Sequence, residues 1–196
     1  MTNRVYNFGA GPAMIPTPVM KKIQQEFLDY HGFGASIVEL SHRLPLFKEI
    51  LDEAESIFRE LTGLPDNYRL MFMHGGAQMQ FSAVPLNLMA RKSHKGSYFI
   101  TWRGGILAEK EARRYGKTEV LADGKEFDYR RIPDYEISMI DQNTSYVHLT
   151  SNNTLYGTRW HKFPETNNIP LVADSTSDIL SREIDYSHFG VVYAGL

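Results

Sequence analysis

The sequence predicts an α/β protein with a mostly parallel β-sheet and helices on both faces. Two amphipathic helices come first, and from residue 68 onward short β-branched or aromatic runs alternate with helical stretches. This alternation is typical of strand–helix–strand units in parallel sheets. A content of 42% hydrophobic and 22% charged residues is that of a chain able to build a core.

The two leading helices show apolar stripes at helical spacing. The first is predicted within the segment 17–32, where Pro18 suits the first turn and Gly32 lies just past the helix end. The second is predicted over 45–62 and stops at Gly63. Its stripe consists of Phe47, Ile50, Leu51, Ala54, Ile57, Phe58 and Leu61.

The alternating region supplies the sheet and its covering helices. A Gly-Gly pair and then a helix follow the first strand of this region. The predicted strands are 68–73, 97–101, 118–122, 145–150, 169–173 and 189–193. The predicted helices are 77–89, which contains Pro85, and 105–116.

Composition excludes several classes of function. A net charge of −2 gives no reason to expect nucleic acid or an anionic membrane as a partner. The absence of cysteine excludes disulfides and thiol catalysis, and the seven histidines lack metal-ligand spacing, so no metal site is predicted. The N-terminus has no signal-peptide pattern and no apolar run approaches a membrane span, so we expect a cytoplasmic protein.

The stretch "HGGAQMQ" after the strand 68–73 is a candidate anion site. Gly75 and Gly76 permit a tight turn, and Ala77 and Gln78 would supply backbone N–H donors at a helix start. The alternative is a plain tight turn. No dinucleotide or P-loop motif accompanies it.

Other strand ends also carry candidate side chains. Asp174 follows 169–173 and is either a buried acid for a cationic ligand group or a helix N-cap. Trp102 follows 97–101 and is either a stacking surface or a core residue. The segment "SNNTLYG" after 145–150 is a hydroxyl-rich loop, with or without a ligand. "SHRLP" at 41–45 is either an anion-binding pair or a surface turn.

One ligand uses an anion cradle, a hydroxyl, an acid and an aromatic side chain together: pyridoxal phosphate (PLP). Its phosphate needs the cradle, its ring needs a stacking partner, and its pyridinium nitrogen needs the acid. Such an enzyme also needs a lysine for the Schiff base.

These motifs resemble the phosphoserine aminotransferases, fold-type I PLP enzymes among the class V aminotransferases. The resemblance is carried by "NFGAGPAMIP", "SHR", "HGGAQMQFSAVPLN", "SNNTLYGT" and "VADSTSDILSREIDYSHFGVVYAG". It covers nearly all of this chain and roughly the first half of a family member. It implies a cofactor site formed by Gly76, Ala77, Gln78, Trp102, Thr154 and Asp174, and a substrate-carboxylate site at His42 and Arg43.

Within that resemblance, Ala77 and Gln78 hold the cofactor phosphate, Thr154 contacts the cofactor oxygen or phosphate side, and Asp174 faces the pyridine nitrogen. Two departures stand out. The family usually has T-G-x-W where this chain reads "TWRGG", so Trp102 comes two places early. Leu44 follows "SHR", where the family tends to carry polar residues.

The resemblance also implies how the chain is organised. Residues 1–15 belong with a small domain, and 16–196 form the N-terminal part of the large PLP domain. In the family "Y-A-G-x" is followed by Gln-Lys, so the Schiff-base lysine is expected just beyond Leu196. The 196-residue chain alone is therefore expected to contain no catalytic residue and to be inactive.

The expected reaction of the complete enzyme moves an amino group from glutamate to 3-phosphohydroxypyruvate, in serine and pyridoxine biosynthesis. The expected partners are these small molecules, a second subunit in a homodimer, and possibly a complementary C-terminal polypeptide. The resemblance leaves the preference between phosphoserine and phosphohydroxythreonine open. Two rival interpretations are another class V enzyme, such as an alanine–glyoxylate aminotransferase or a cysteine desulfurase, and a non-catalytic cofactor-binding or interaction module.

Overall fold

The computed structural model describes residues 4–195, and the described chain divides into two units, Met1–Glu60 and Leu61–Leu196. The first three residues, Leu196 and the lysine expected beyond it lie outside the described residues. The assignment of 1–15 to a small domain stays a prediction.

The first unit is built around α1 (Thr17–Glu26) and α2 (Pro45–Thr62), whose last two residues belong to the second unit. The prediction for α2 is confirmed. α1 ends at Glu26, short of the end predicted just before Gly32, because the Asp29 carboxylate accepts the Gly34 N–H at 2.7 Å and ties the chain into a bend.

The second unit contains a five-stranded sheet in which every pair of neighbours is parallel. The strand order is β2-β1-β3-β4-β5. The strands are β1 (Lys95–Ile100), β2 (Lys117–Asp123), β3 (Tyr146–Thr150), β4 (Leu171–Asp174) and β5 (Val191–Tyr193). The predicted α/β class with a parallel sheet is confirmed.

Two α-helices cover one face of this sheet, and loops with short 3₁₀ turns cover the other. On one face α3 (Gly76–Leu88) and α4 (Arg103–Ala112) pack against alternate strand residues such as Tyr146 and Val172. On the other face Leu149 and its neighbours pack against loops and short 3₁₀ turns. Burial on both faces explains why β3 and β4 are almost continuously apolar.

The prediction of a strand at 68–73 is wrong. Its residues form no ladder with any strand among residues 4–195, and Met71, Phe72 and Met73 are exposed. Tyr68 Oη donates a hydrogen bond to the Phe189 carbonyl at 2.7 Å, which holds only the start of the segment. Strand propensity without a partner for the backbone groups is not enough to form a strand.

Within residues 4–195, no helix combines the length and the apolar character needed to cross a bilayer. In the same range, no cluster of three or more His, Asp or Glu side chains could hold a metal ion. Acidic groups near the start of the sheet instead make ion pairs: Lys95 contacts Glu119 at 2.7 Å and Asp141 at 3.0 Å.

We expect Leu149→Ala to lower the free energy of unfolding by about 2–5 kcal/mol, because this fully buried side chain would leave a cavity in the sheet. Leu86→Ala is the matched control. Leu86 is exposed on α3, and its truncation should change stability by less than about 0.5 kcal/mol. Urea denaturation followed by circular dichroism measures both, and equal losses would contradict this description of the core.

Candidate functional site

A cavity of about 380 Å³ opens where β1, β3 and β4 end. Because these strands are parallel, their carboxyl ends meet at one edge of the sheet, and the register places Thr150 directly beside Asp174. The start of α3 forms a further wall. Of the residues predicted from sequence, Ala77, Gln78, Trp102, Thr154 and Asp174 line this cavity.

The start of α3 presents free backbone donors to the cavity. Gly75 and Gly76 have φ values of 100° and 61°, which only glycine adopts readily, and they turn the chain directly into the helix. Among residues 4–195, no side chain caps this helix. The first-turn amides, including those of Ala77 and Gln78, therefore remain available to an anion, and the helix dipole favours negative charge there.

Asp174 provides the negative charge of the site. The residue is only 5% exposed, and burial raises the pKa of its carboxyl, while hydrogen bonds from Thr176 oppose that shift. Oδ1 accepts both the Thr176 N–H at 3.1 Å and the Thr176 hydroxyl at 2.6 Å. Oδ2 accepts no hydrogen bond from residues 4–195, so it is free for an N–H donor of a ligand.

Trp102 adopts a backbone conformation that is normally restricted to glycine, with φ 150° and ψ −160°. Its half-buried ring meets the rings of Tyr129 and Tyr156 edge-on, at centroid distances of 4.8 and 5.4 Å. The ring lines the cavity. Its role in stacking on a cofactor stays a prediction.

The loop that carries Thr154 is held by a buried amide. Asn153 donates from Nδ2 to the Thr101 carbonyl at 3.0 Å, and its Oδ1 accepts the N–H of Leu155 at 3.2 Å. Thr154 itself is exposed beside the cavity. Asn153 was not predicted as a site residue, because "SNN" is typical of an ordinary polar loop. Only its burial in the structure distinguishes it from a surface residue.

Two buried hydroxyls at the cavity were also not predicted from the sequence. Thr101 Oγ1 and Thr150 Oγ1 have no hydrogen-bond partner within residues 4–195. Gly104 lies against Thr150: a Cβ at this glycine would come within 3.2 Å of Thr150 Oγ1 and 3.6 Å of Asp174 Oδ2. The missing side chain leaves space beside the free oxygen of Asp174.

The hydrogen-bonding groups of the cavity fit a flat cationic ring that carries an anionic group. The free Oδ2 of Asp174 matches a ring N–H, and the uncapped start of α3 matches a phosphate. His42 and Arg43 belong to the first unit, where both are exposed. Their substrate-binding role stays a prediction.

Comparison with known proteins agrees with this chemistry. The family model described as "Aminotransferase class-V" matches residues 5–195. The chain belongs to the class-V aminotransferase family.

Among the class-V aminotransferases, the chain is similar to enzymes named phosphoserine aminotransferase. That of Syntrophobacter fumaroxidans is 46% identical over 196 residues, which is 100% of this chain and 54% of the relative. The solved structure from Bacillus circulans subsp. alkalophilus is 38% identical with a TM-score of 0.90, covering 98% of this chain and 53% of that one. The PLP-bound structure from Trichomonas vaginalis is 27% identical with a TM-score of 0.86, and the match covers 97% of this chain and 53% of that one.

The chain thus spans about half the length of the relatives that it matches. The similarity extends over almost every residue of this chain, including both units. The predicted resemblance and fold are confirmed.

We expect Trp102→Gly to be more stable than Trp102→Ala by about 1 kcal/mol or more, because both lose the ring contacts but only glycine relieves the backbone strain. The same pair of changes at Lys110, exposed within α4, is the control, and there alanine should be the more stable by about 1 kcal/mol. Thermal unfolding of the four variants measures this reversal. Its absence would show that Trp102 is not strained.

Proposed function

We propose that this chain supplies the cofactor acid and the phosphate cradle of a PLP-dependent phosphoserine aminotransferase. The observation that carries the proposal is the free Oδ2 of buried Asp174 in the same cavity as the uncapped start of α3. The names of its relatives support the choice of substrate and cofactor.

Each residue has a defined task in this proposal. Asp174 accepts a hydrogen bond from the ring N–H. The negative charge of Asp174 keeps that nitrogen protonated, because a buried carboxylate favours a cationic partner. Ala77 and Gln78 bind the phosphate through backbone N–H groups, with Gly76 permitting the turn. Trp102 and Thr154 border the ring. When bound, PLP supplies an electron-accepting ring for amino-group transfer.

The wider activity rests on the similarity to the relatives. The proposed reaction transfers the amino group of glutamate to 3-phosphohydroxypyruvate, in serine and pyridoxine biosynthesis. His42 and Arg43 would bind a substrate carboxylate, since a guanidinium pairs with a carboxylate through two parallel hydrogen bonds. A homodimer, a complementary C-terminal polypeptide that brings the lysine, and a cytoplasmic location remain predictions.

We expect the chain to bind pyridoxamine 5′-phosphate, which lacks the aldehyde and so cannot react with surface lysines. Asp174→Asn should weaken binding at pH 7 by roughly tenfold or more, because the charged hydrogen bond to the ring is lost. Replacing the ligand by pyridoxamine, without phosphate, should weaken binding by a similar factor because the α3 cradle loses its anion. Isothermal titration calorimetry measures both.

Asp134→Asn serves as the control for charge alone, since Asp134 is exposed and, within the described part of the chain, pairs only with Arg131 at 3.3 Å. It should leave affinity unchanged. If Asp174→Asn binds as tightly as the original chain, Asp174 does not contact the ring. If phosphate makes no difference, the start of α3 is not the cradle.

A further inference from the structure

Thr176 connects the acid of the site to the end of β5. Its hydroxyl donates to Asp174 Oδ1 at 2.6 Å and accepts the Gly195 N–H at 3.2 Å. A threonine hydroxyl has one proton to donate and lone pairs to accept, so both hydrogen bonds form at the same time. One side chain therefore contacts the carboxylate and the backbone beyond the last strand.

The end of β5 also touches the phosphate cradle. A Cβ at Gly195 would lie 2.9 Å from the Ala77 backbone nitrogen, closer than any side chain allows. Gly195 thus packs directly against an amide of the first turn of α3. Contacts run from Asp174 through Thr176 and Gly195 to Ala77, and they join the two ends of the cavity.

We propose that Thr176 is a positioning residue that keeps Asp174 ionised, turns its Oδ2 toward the cavity and fixes Gly195 against the start of α3. The inference rests on the proposed role of Asp174 in cofactor binding. Thr176 touches the carboxylate and the backbone, and it acts on the ligand through them.

The hydrogen bonds explain the ionisation. Burial raises the pKa of Asp174 because the charged form is poorly solvated, and the two hydrogen bonds from Thr176 favour the charged form. Without the hydroxyl, only the backbone N–H opposes the effect of burial. The pKa of Asp174 should then rise further, and the carboxyl should become protonated at a higher pH.

The other ionisable groups around Asp174 keep a constant charge between pH 5 and 8, the range in which ligand binding is to be measured. On β5, burial raises the pKa of Tyr193 well above its usual value, so the phenol stays neutral. On β3, burial lowers the pKa of His148, which contacts the Tyr193 hydroxyl at 2.8 Å, to about 3, so the imidazole is also neutral. Arg103 on α4 carries a permanent positive charge, and the α3 residues that line the cavity are uncharged.

The first test needs no ligand. The side-chain carboxyl carbon of Asp174 is titrated by NMR in the original chain, Thr176→Val and Thr176→Ser, with Asp174→Asn assigning the resonance. We expect a higher midpoint in Thr176→Val and the original midpoint in Thr176→Ser, which keeps the hydroxyl. Amide hydrogen exchange at Gly195 should be faster in the valine variant only. Equal midpoints in all three proteins would overturn the inference.

The second test measures pyridoxamine 5′-phosphate binding between pH 5 and 8. Protonated Asp174 cannot compensate a ring cation, so a higher pKa moves the loss of binding to higher pH. Thr176→Val should bind about tenfold more weakly at pH 7, since a charged hydrogen bond is lost, and Thr176→Ser should stay within about threefold. A valine variant whose binding profile coincides with the original would also contradict the inference.

The two tests separate this inference from the proposed function. If the carboxyl midpoint moves as expected but no protein binds the ligand, the cofactor site fails and the control of Asp174 by Thr176 stands. If Thr176→Val does not fold, as judged by circular dichroism, Thr176→Ala removes the same hydroxyl with less bulk and is held to the same expected midpoint.

Discussion

The parallel pairing of β3 with β4 is the constraint on which the rest of the second unit depends. Each strand is hydrogen-bonded on both sides and covered on both faces, so its residues up to the carboxyl end lie out of water. The register then fixes Thr150 beside Asp174. Since every neighbouring pair is parallel, the polar side chains that follow the strands can only collect at one edge.

That arrangement gives Asp174 its chemistry. A carboxylate at the end of a buried strand loses much of its hydration, and its charge must be balanced locally. Thr176 satisfies one oxygen, and the other faces the cavity without a partner among residues 4–195. A ligand with a cationic N–H completes the balance. The same edge of the sheet therefore buries a carboxylate that a cationic ligand would stabilise and provides the cavity in which that ligand would fit.

Sequence reasoning succeeded where local chemistry and tertiary context agree. The glycines at 75 and 76 predicted the turn into α3 because few other residues adopt that backbone. The burial of an acid at position 174 was predicted because it follows a continuous apolar strand. The segment 68–73 failed because a strand is defined by its partner, which strand propensity does not reveal. Asn153 and Thr176 were missed because their function is visible only in what they contact.

Two local departures from ordinary protein chemistry meet at this cavity. Trp102 occupies a glycine-like backbone conformation, and Thr101 and Thr150 bury hydroxyls without a partner among the described residues. Each is unfavourable alone, by roughly 1–3 kcal/mol. Such costs persist where the surrounding structure enforces them, and here the hydroxyl of Thr150 lies against Gly104. A Cβ at residue 104 would crowd Thr150 Oγ1 at 3.2 Å and come within 3.6 Å of Asp174 Oδ2, so this glycine keeps the cavity open at the one oxygen of the acid that a ligand can reach.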